Sequence, residues 1–134
     1  MNLKAICTAL GAAVLGGGLF SAALLPSRAG AAQDEIKVPQ LAGEALAGAT
    51  LFTRYCASCH GAVAGGTDKG PPLIHRIYEP NHHADFSFVM AARQGVRAHH
   101  WKFGNMPPVE GIHDEDVIKI IAFVRAVQKE NGIF

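Results

Sequence analysis

The amino-acid sequence predicts a single all-α domain with three or four helices and long connecting loops. Apolar residues recur at helical spacing in three segments, and no stretch has the alternation that indicates a β-strand. The length of 134 residues suits one domain. Because 49% of the residues are hydrophobic and only 17% are charged, the composition excludes an intrinsically disordered chain.

The first 31 residues have the composition of a secretory signal peptide. Lys4 is the only early charge, and residues 5–25 are uncharged and rich in Ala, Leu and Gly. Pro26 ends any helix there, and residues 29–31 supply the small side chains that signal peptidase requires. We expect cleavage, export to the periplasm and no membrane span afterwards. An uncleaved membrane anchor is the alternative, because the stretch is long enough to cross a bilayer.

Cleavage would leave a mature chain of about 100 residues with almost no net charge. The loss of Lys4 and Arg28 reduces the 12 basic residues to 10, against 11 acidic ones. This balance excludes a nucleic-acid partner and gives no sign of strong electrostatic steering. Cys7 would also be removed, so that Cys56 and Cys59 would be the only cysteines of the mature chain.

The mature sequence predicts an extended lead-in over residues 32–40 and a domain over residues 41–134. A first helix is expected from about residue 41 to the cysteines, because small and apolar residues recur there at helical spacing. These residues are Leu41, Ala45, Gly48, Ala49 and Phe52. Residues 61–73, rich in glycine and proline, predict a loop.

Two further helices are predicted in the second half of the chain. Residues 85–94 form a short candidate that Gly95 ends as a C-cap. Residues 96–111 look irregular. The last helix begins with three acidic residues from Asp114, where the helix dipole favours negative charge, and ends at Asn131. Its apolar face consists of Val117, Ile120, Ile121, Val124 and Val127.

The segment Cys56-Ala57-Ser58-Cys59-His60 is a C-x-x-C-H motif, the signature of covalent haem attachment. Thiols at i and i+3 lie on one face of a helical turn, so both can form thioethers with one haem. His60 can reach the iron from the same side, which leaves the other axial position to another residue. A redox-active C-x-x-C would need a βαβ setting, and half a zinc site would need two more ligands at matching spacing.

Beyond this motif, the chain resembles the small monohaem class I c-type cytochromes of bacteria over about residues 40–130. The spacing of Gly48, Phe52 and Cys56 is similar to the first helix of that family, and residues 120–123, with Phe123, are similar to the helix that crosses it. Residues 70–73 resemble the segment on the histidine side of the haem. Residues 104–108 resemble the loop that carries a methionine ligand.

The resemblance implies a cytochrome c fold around one covalently bound haem c. It implies a periplasmic one-electron carrier, not an enzyme, that is a monomer with transient redox partners. His60 and Met106 would be the axial ligands, and the carbonyl of Pro71 would accept a hydrogen bond from His60. Leu73 would pack on the haem, although the sequence is equally compatible with a plain core role. Methionine ligation would raise the reduction potential relative to two histidines.

The residues themselves favour Met106 over the other mature methionine. Met106 lies in a loop that Pro107 and Pro108 restrict, whereas Met90 lies in the predicted short helix, where a core position is expected.

The middle of the chain departs from the family pattern, because it carries the pairs His82-His83 and His99-His100. The favoured interpretation is histidines at the surface or hydrogen-bonded to the haem propionates. A second metal site, for example for copper, and replacement of Met106 on the iron are the alternatives. Nearby, Trp101 and Phe103 are expected to border the haem, although a core role is nearly as well supported.

Two other functions remain compatible with the sequence. One is a haem enzyme or sensor whose sixth iron position is open or displaceable. The other is the cytochrome subunit of a larger dehydrogenase or oxidase.

Overall fold

A computed structural model describes residues 36–134 of the chain. Within this range it contains four α-helices, α1 (Gly43–Tyr55), α2 (Ala57–His60), α3 (Asp85–Gln94) and α4 (Asp114–Glu130), and a 3-10 helix at Arg76–Tyr78. The described range has no β-strand, so the all-α prediction is confirmed. The predicted signal peptide and its cleavage site lie outside the described residues. None of the helices in residues 36–134 has the length and apolar character needed to cross a bilayer.

The crossing of α1 and α4 is the main packing contact of the fold. Gly48 lies directly against the backbone of α4, where an added Cβ would collide with the carbonyl of Lys119. One turn later, the rings of Phe52 and Phe123 meet with centroids 5.2 Å apart. The small residue and the aromatic residue therefore have the positions that the family resemblance implies.

Helix α4 buries the apolar face that its sequence predicts. All five predicted residues are buried, and Phe123 joins them. Burial of a Val or Ile side chain contributes about 1.5–3 kcal/mol, so this face is a large part of the core energy. Asp116 accepts a hydrogen bond from the backbone N–H of His113 at the start of the helix (3.4 Å). The helix ends at Glu130 with Asn131 as C-cap, as predicted.

The lead-in is held to the far end of the domain by Asn131. The Asn131 side chain accepts from the N–H of Lys37 (3.0 Å) and donates to its carbonyl (2.7 Å). Ile36 and Leu41 also pack against the core. The cap of α4 thus fixes the chain that leads into α1.

The short helices differ slightly from expectation. Helix α1 begins at Gly43, two residues later than predicted, and Cys56 (φ −122°, ψ −33°) separates it from α2. The C-x-x-C-H motif therefore occupies a helical turn of its own. Helix α3 has the predicted bounds and ends with Gly95 as C-cap.

Candidate functional site

A cavity of about 900 Å³ opens between α1, α2, α3 and the loop that follows α3. This volume is near the upper limit for small-molecule and cofactor sites, about 300–1,000 Å³. All eight residues that the sequence places at the site line it: Cys56, Cys59, His60, Pro71, Leu73, Trp101, Phe103 and Met106. Residues up to 50 positions apart in sequence therefore share one cavity.

Cys56 precedes the helical turn α2 and Cys59 lies within it, at one wall of this cavity. Cys56 is half-buried and Cys59 is exposed, and both are free thiols. Burial raises the pKa of the Cys56 thiol to about 11, and the neighbouring Cys59 adds to the rise. Redox-active C-x-x-C motifs instead lower a thiol pKa to obtain a reactive thiolate. The Cys56 thiol therefore lacks the lowered pKa that is typical of a disulfide oxidoreductase.

His60 ends α2 and is buried, with 9% of its surface exposed. Its Nδ1 lies 2.9 Å from the carbonyl oxygen of Pro71, the contact that the resemblance implies. Because a carbonyl can only accept, Nδ1 carries the proton and Nε2 carries the lone pair. Burial lowers the pKa of His60, although the hydrogen bond to Pro71 opposes this. Burial therefore favours the neutral imidazole, the form that binds iron.

Met106 is held in the opposite loop by its own backbone. It pairs with Val96 in an isolated antiparallel bridge, with two N–H···O hydrogen bonds of 2.9 Å. The Asn105 side chain accepts from the N–H of Ala98 (2.9 Å) and closes the loop between them. Met106 is half-buried and lines the cavity. The loop therefore fixes the backbone of Met106 at the cavity that the C-x-x-C-H motif also lines.

Met90 differs from its predicted position in the core. It is half-buried and lines the cavity, whereas its neighbour Val89 points into the core and is 8% exposed. The helical period explains the difference, because consecutive residues of α3 face about 100° apart. The cavity therefore contains both methionines of the described chain.

Trp101 presents an unusual polar atom in the same region. Burial raises the pKa of Tyr78, and the nearby indole N–H of Trp101 partly opposes this rise. Nevertheless, the buried Nε1 has no acceptor in hydrogen-bonding geometry within the described residues. The ring of Phe103 lies 6.2 Å from that of Trp101. A bound molecule with an anionic oxygen, such as a haem propionate, would satisfy this donor.

The two histidine pairs meet beside Trp101. The His82 and His83 rings stack at 4.8 Å, and the His99 and His100 rings lie 4.2 Å apart. His100 lies 5.2 Å from His82 and 5.3 Å from His83. Burial lowers the pKa of His83, and the charges of His82, His99 and Arg125 add to the effect. All four histidines also line the cavity.

Sequence reasoning missed the polar network that holds the first histidine pair. Arg125 donates to the carbonyls of Tyr78 (2.6 Å) and His83 (2.5 Å), and pairs with Asp85 (2.8 Å). Gln128 is fully buried and donates to the carbonyl of Tyr78 (3.0 Å). The signal was present, because Gln128 is a polar residue within the apolar face of α4.

The sequence matches the cytochrome c family model over residues 45–128. Comparisons with curated proteins and with solved structures find no match. The family binds haem c covalently, and the residues present fit this group. The cavity is large enough, a pair of thiols and an imidazole oriented by the carbonyl of Pro71 line it, and an indole N–H lacks an acceptor. The matched region covers more than half of the chain, which therefore belongs to the cytochrome c family.

Proposed function

We propose that the protein is a periplasmic one-electron carrier whose haem c is attached to Cys56 and Cys59 and ligated by His60 and Met106. An electron-transfer role with haem c follows from the family. The carrier role, the location and the ligand pair are the proposal. The single observation that supports this proposal is one cavity that both the C-x-x-C-H turn and the loop with Met106 line.

When bound, haem c supplies an iron that alternates between the ferric and ferrous states. The chain's own residues would control the two axial positions. The carbonyl of Pro71 orients the His60 ring and increases its basicity, as hydrogen bonds to ligating histidines do. The bridge from Val96 to Met106 limits the freedom of the weaker thioether ligand.

The apolar wall of the cavity supports electron transfer rather than catalysis. Phe52 and Leu73 are buried and line the cavity. An apolar environment keeps water away from a redox centre and reduces the rearrangement that accompanies a change of charge. With both axial positions filled by side chains, oxygen and peroxide would have no site on the iron.

Two exposed aromatic residues at the cavity support transient docking of redox partners. Phe86 is 66% exposed and Phe103 is 40% exposed, and both line the cavity. Electron-transfer complexes are small, below about 1,200 Å² of buried surface. We propose that the exported protein is a monomer that docks its donor and acceptor through this apolar edge. Co-purification with a dehydrogenase or oxidase would instead assign it as a subunit of that enzyme.

An optical redox titration of the purified holoprotein tests the proposal. We expect one reversible step with a slope of about 59 mV per tenfold change in the ratio of oxidised to reduced protein. The oxidised form should have the weak far-red band of an iron–sulfur bond, and carbon monoxide should not bind. Ready binding of carbon monoxide and no far-red band would instead support a haem enzyme or sensor with an open sixth position.

A further inference from the structure

The histidine cluster, defined as His82, His83, His99 and His100, is not required by the attachment of one haem. The C-x-x-C-H motif supplies its own histidine, His60. One ring nitrogen from each of His82, His83 and His100 nevertheless lies within 4.8 Å of those of the other two. We propose that these three imidazoles form a binding site for a divalent transition-metal ion, separate from the haem iron, with Cu²⁺ as the tightest-bound ion.

The ring nitrogens are somewhat farther apart than the ligand atoms of a formed metal site. Metal–nitrogen bonds of 2.0–2.1 Å in a tetrahedral arrangement separate the ligand atoms by about 3.3 Å. Ring rotations and small loop movements would close the gap from 4.8 Å. His82 and His100 lie in loops outside the regular helices, so their rings can move toward His83, which the hydrogen bond to Ile77 holds in place.

Hydrogen bonds to the rings already favour metal-binding tautomers. Nδ1 of His83 donates to the carbonyl of Ile77 (2.6 Å), and Nδ1 of His99 donates to the carbonyl of Arg97 (2.8 Å). Each bond leaves Nε2 with the lone pair. Metal-binding histidines characteristically donate their other ring N–H to a carbonyl or carboxylate in this way, which fixes the ring and increases its basicity. Among the three proposed ligands, His83 is therefore the one whose ring the fold already orients.

The donor set selects the class of ion. Imidazole nitrogens alone suit copper, zinc and nickel, and the order of stability places Cu²⁺ above the other two. Arg125 is the charged group that faces the cluster from α4, where it donates to the carbonyl of His83. Its charge opposes binding of a cation, but the ion pair with Asp85 (2.8 Å) offsets it.

Titration of Cu²⁺ into untagged, metal-stripped ferric holoprotein tests this site. Elemental analysis should find one copper per haem after removal of excess ion. The dissociation constant should increase at least tenfold in His82→Gln and in His100→Gln. It should not change in His113→Gln, which alters an exposed histidine outside the cluster. The haem spectrum should be the same in all four proteins, and circular dichroism checks that each is folded.

Three results would overturn the proposal. The first is less than stoichiometric copper in the parent protein, and the second is equal affinity in the parent and both cluster variants. The third is a changed axial-ligand spectrum in His82→Gln or His100→Gln, which would assign these imidazoles to the haem. Copper is counted without any electron-transfer assay, so the site can fail while the carrier function stands.

Discussion

Nδ1 of His60 donates to the carbonyl oxygen of Pro71 across 2.9 Å, which joins the haem-attachment turn to the loop eleven residues later. The bond assigns the proton to Nδ1, so Nε2 keeps the lone pair that a metal requires. The basicity of the His60 imidazole, the proposed iron ligand, therefore depends on the position of the Pro71 carbonyl. Changes in that loop are therefore expected to alter the reduction potential.

The loop position depends on Gly70, the residue before Pro71. A Cβ at Gly70 would lie 2.9 Å from the carbonyl oxygen of Cys59, so Gly70→Ala must displace the backbone. We expect the His60 hydrogen bond to weaken, the imidazole to become less basic and the ferric state to lose stabilisation. The reduction potential of the holoprotein should therefore rise. Pro71→Ala is the control, since it keeps the carbonyl; equal potentials in Gly70→Ala and the parent would contradict the argument.

The helix crossing predicts a large effect for a small substitution at Gly48. Alanine is better than glycine in a helix by about 1 kcal/mol, but Gly48→Ala would overlap the backbone of α4. We expect a net loss of about 1–3 kcal/mol in the free energy of unfolding, as for other overpacked cores. Thermal unfolding of the holoprotein measures this. Ala47→Gly, at an exposed site on the same helix, should cost only about 1 kcal/mol, and a stabilised Gly48→Ala would refute the tight crossing.

Local signals explain why much of the fold could be predicted from sequence. Gly95 ends α3, while Asp114 and Asn131 bound α4, and each acts within a turn or two of its own position. The C-x-x-C-H motif is equally local. The eight predicted site residues do share one cavity. Periodicity alone does not contain this long-range arrangement, so it could be predicted only from the family resemblance.

Long-range features were less predictable. The meeting of His83 with His99 and His100 depends on two loops, and nothing in the spacing of the pairs specifies that contact. The hydrogen bonds from Arg125 to the Tyr78–His83 segment are likewise between residues more than 40 positions apart. The prediction of a core position for Met90 was wrong, because neighbouring residues of this short helix face either the core or the cavity.

The cofactor should be part of the folding core as well as the redox centre. A domain of about 100 residues with a cavity of about 900 Å³ has a thin core, so the chain without haem should not fold stably. We expect Cys56→Ala combined with Cys59→Ala to abolish covalent haem and the cooperative thermal transition. Ser58→Ala, at the exposed position between the cysteines, should retain both. A compact, helical double variant without haem would contradict this role of the cofactor.

Export can be tested on the intact protein. The mature chain should begin near Ala32, because the small residues before it suit signal peptidase. Intact-mass measurement of the protein from the periplasmic fraction should show one haem and no residues 1–31. A membrane-bound form that retains these residues would establish the anchor alternative.

The ligand at the sixth iron position is the central claim, and the two methionines at the cavity allow a matched test. Met106→Leu and Met90→Leu make the same nearly volume-conserving change, but only the first should remove the iron ligand. Two measurements on each holoprotein are decisive: the far-red absorption of its ferric form and its reduction potential. We predict that Met106→Leu loses the iron–sulfur band and has a lower potential while its haem stays attached, and that Met90→Leu resembles the parent. An unchanged band and potential in Met106→Leu would contradict the account, and loss of the band in Met90→Leu alone would transfer the ligand role to Met90.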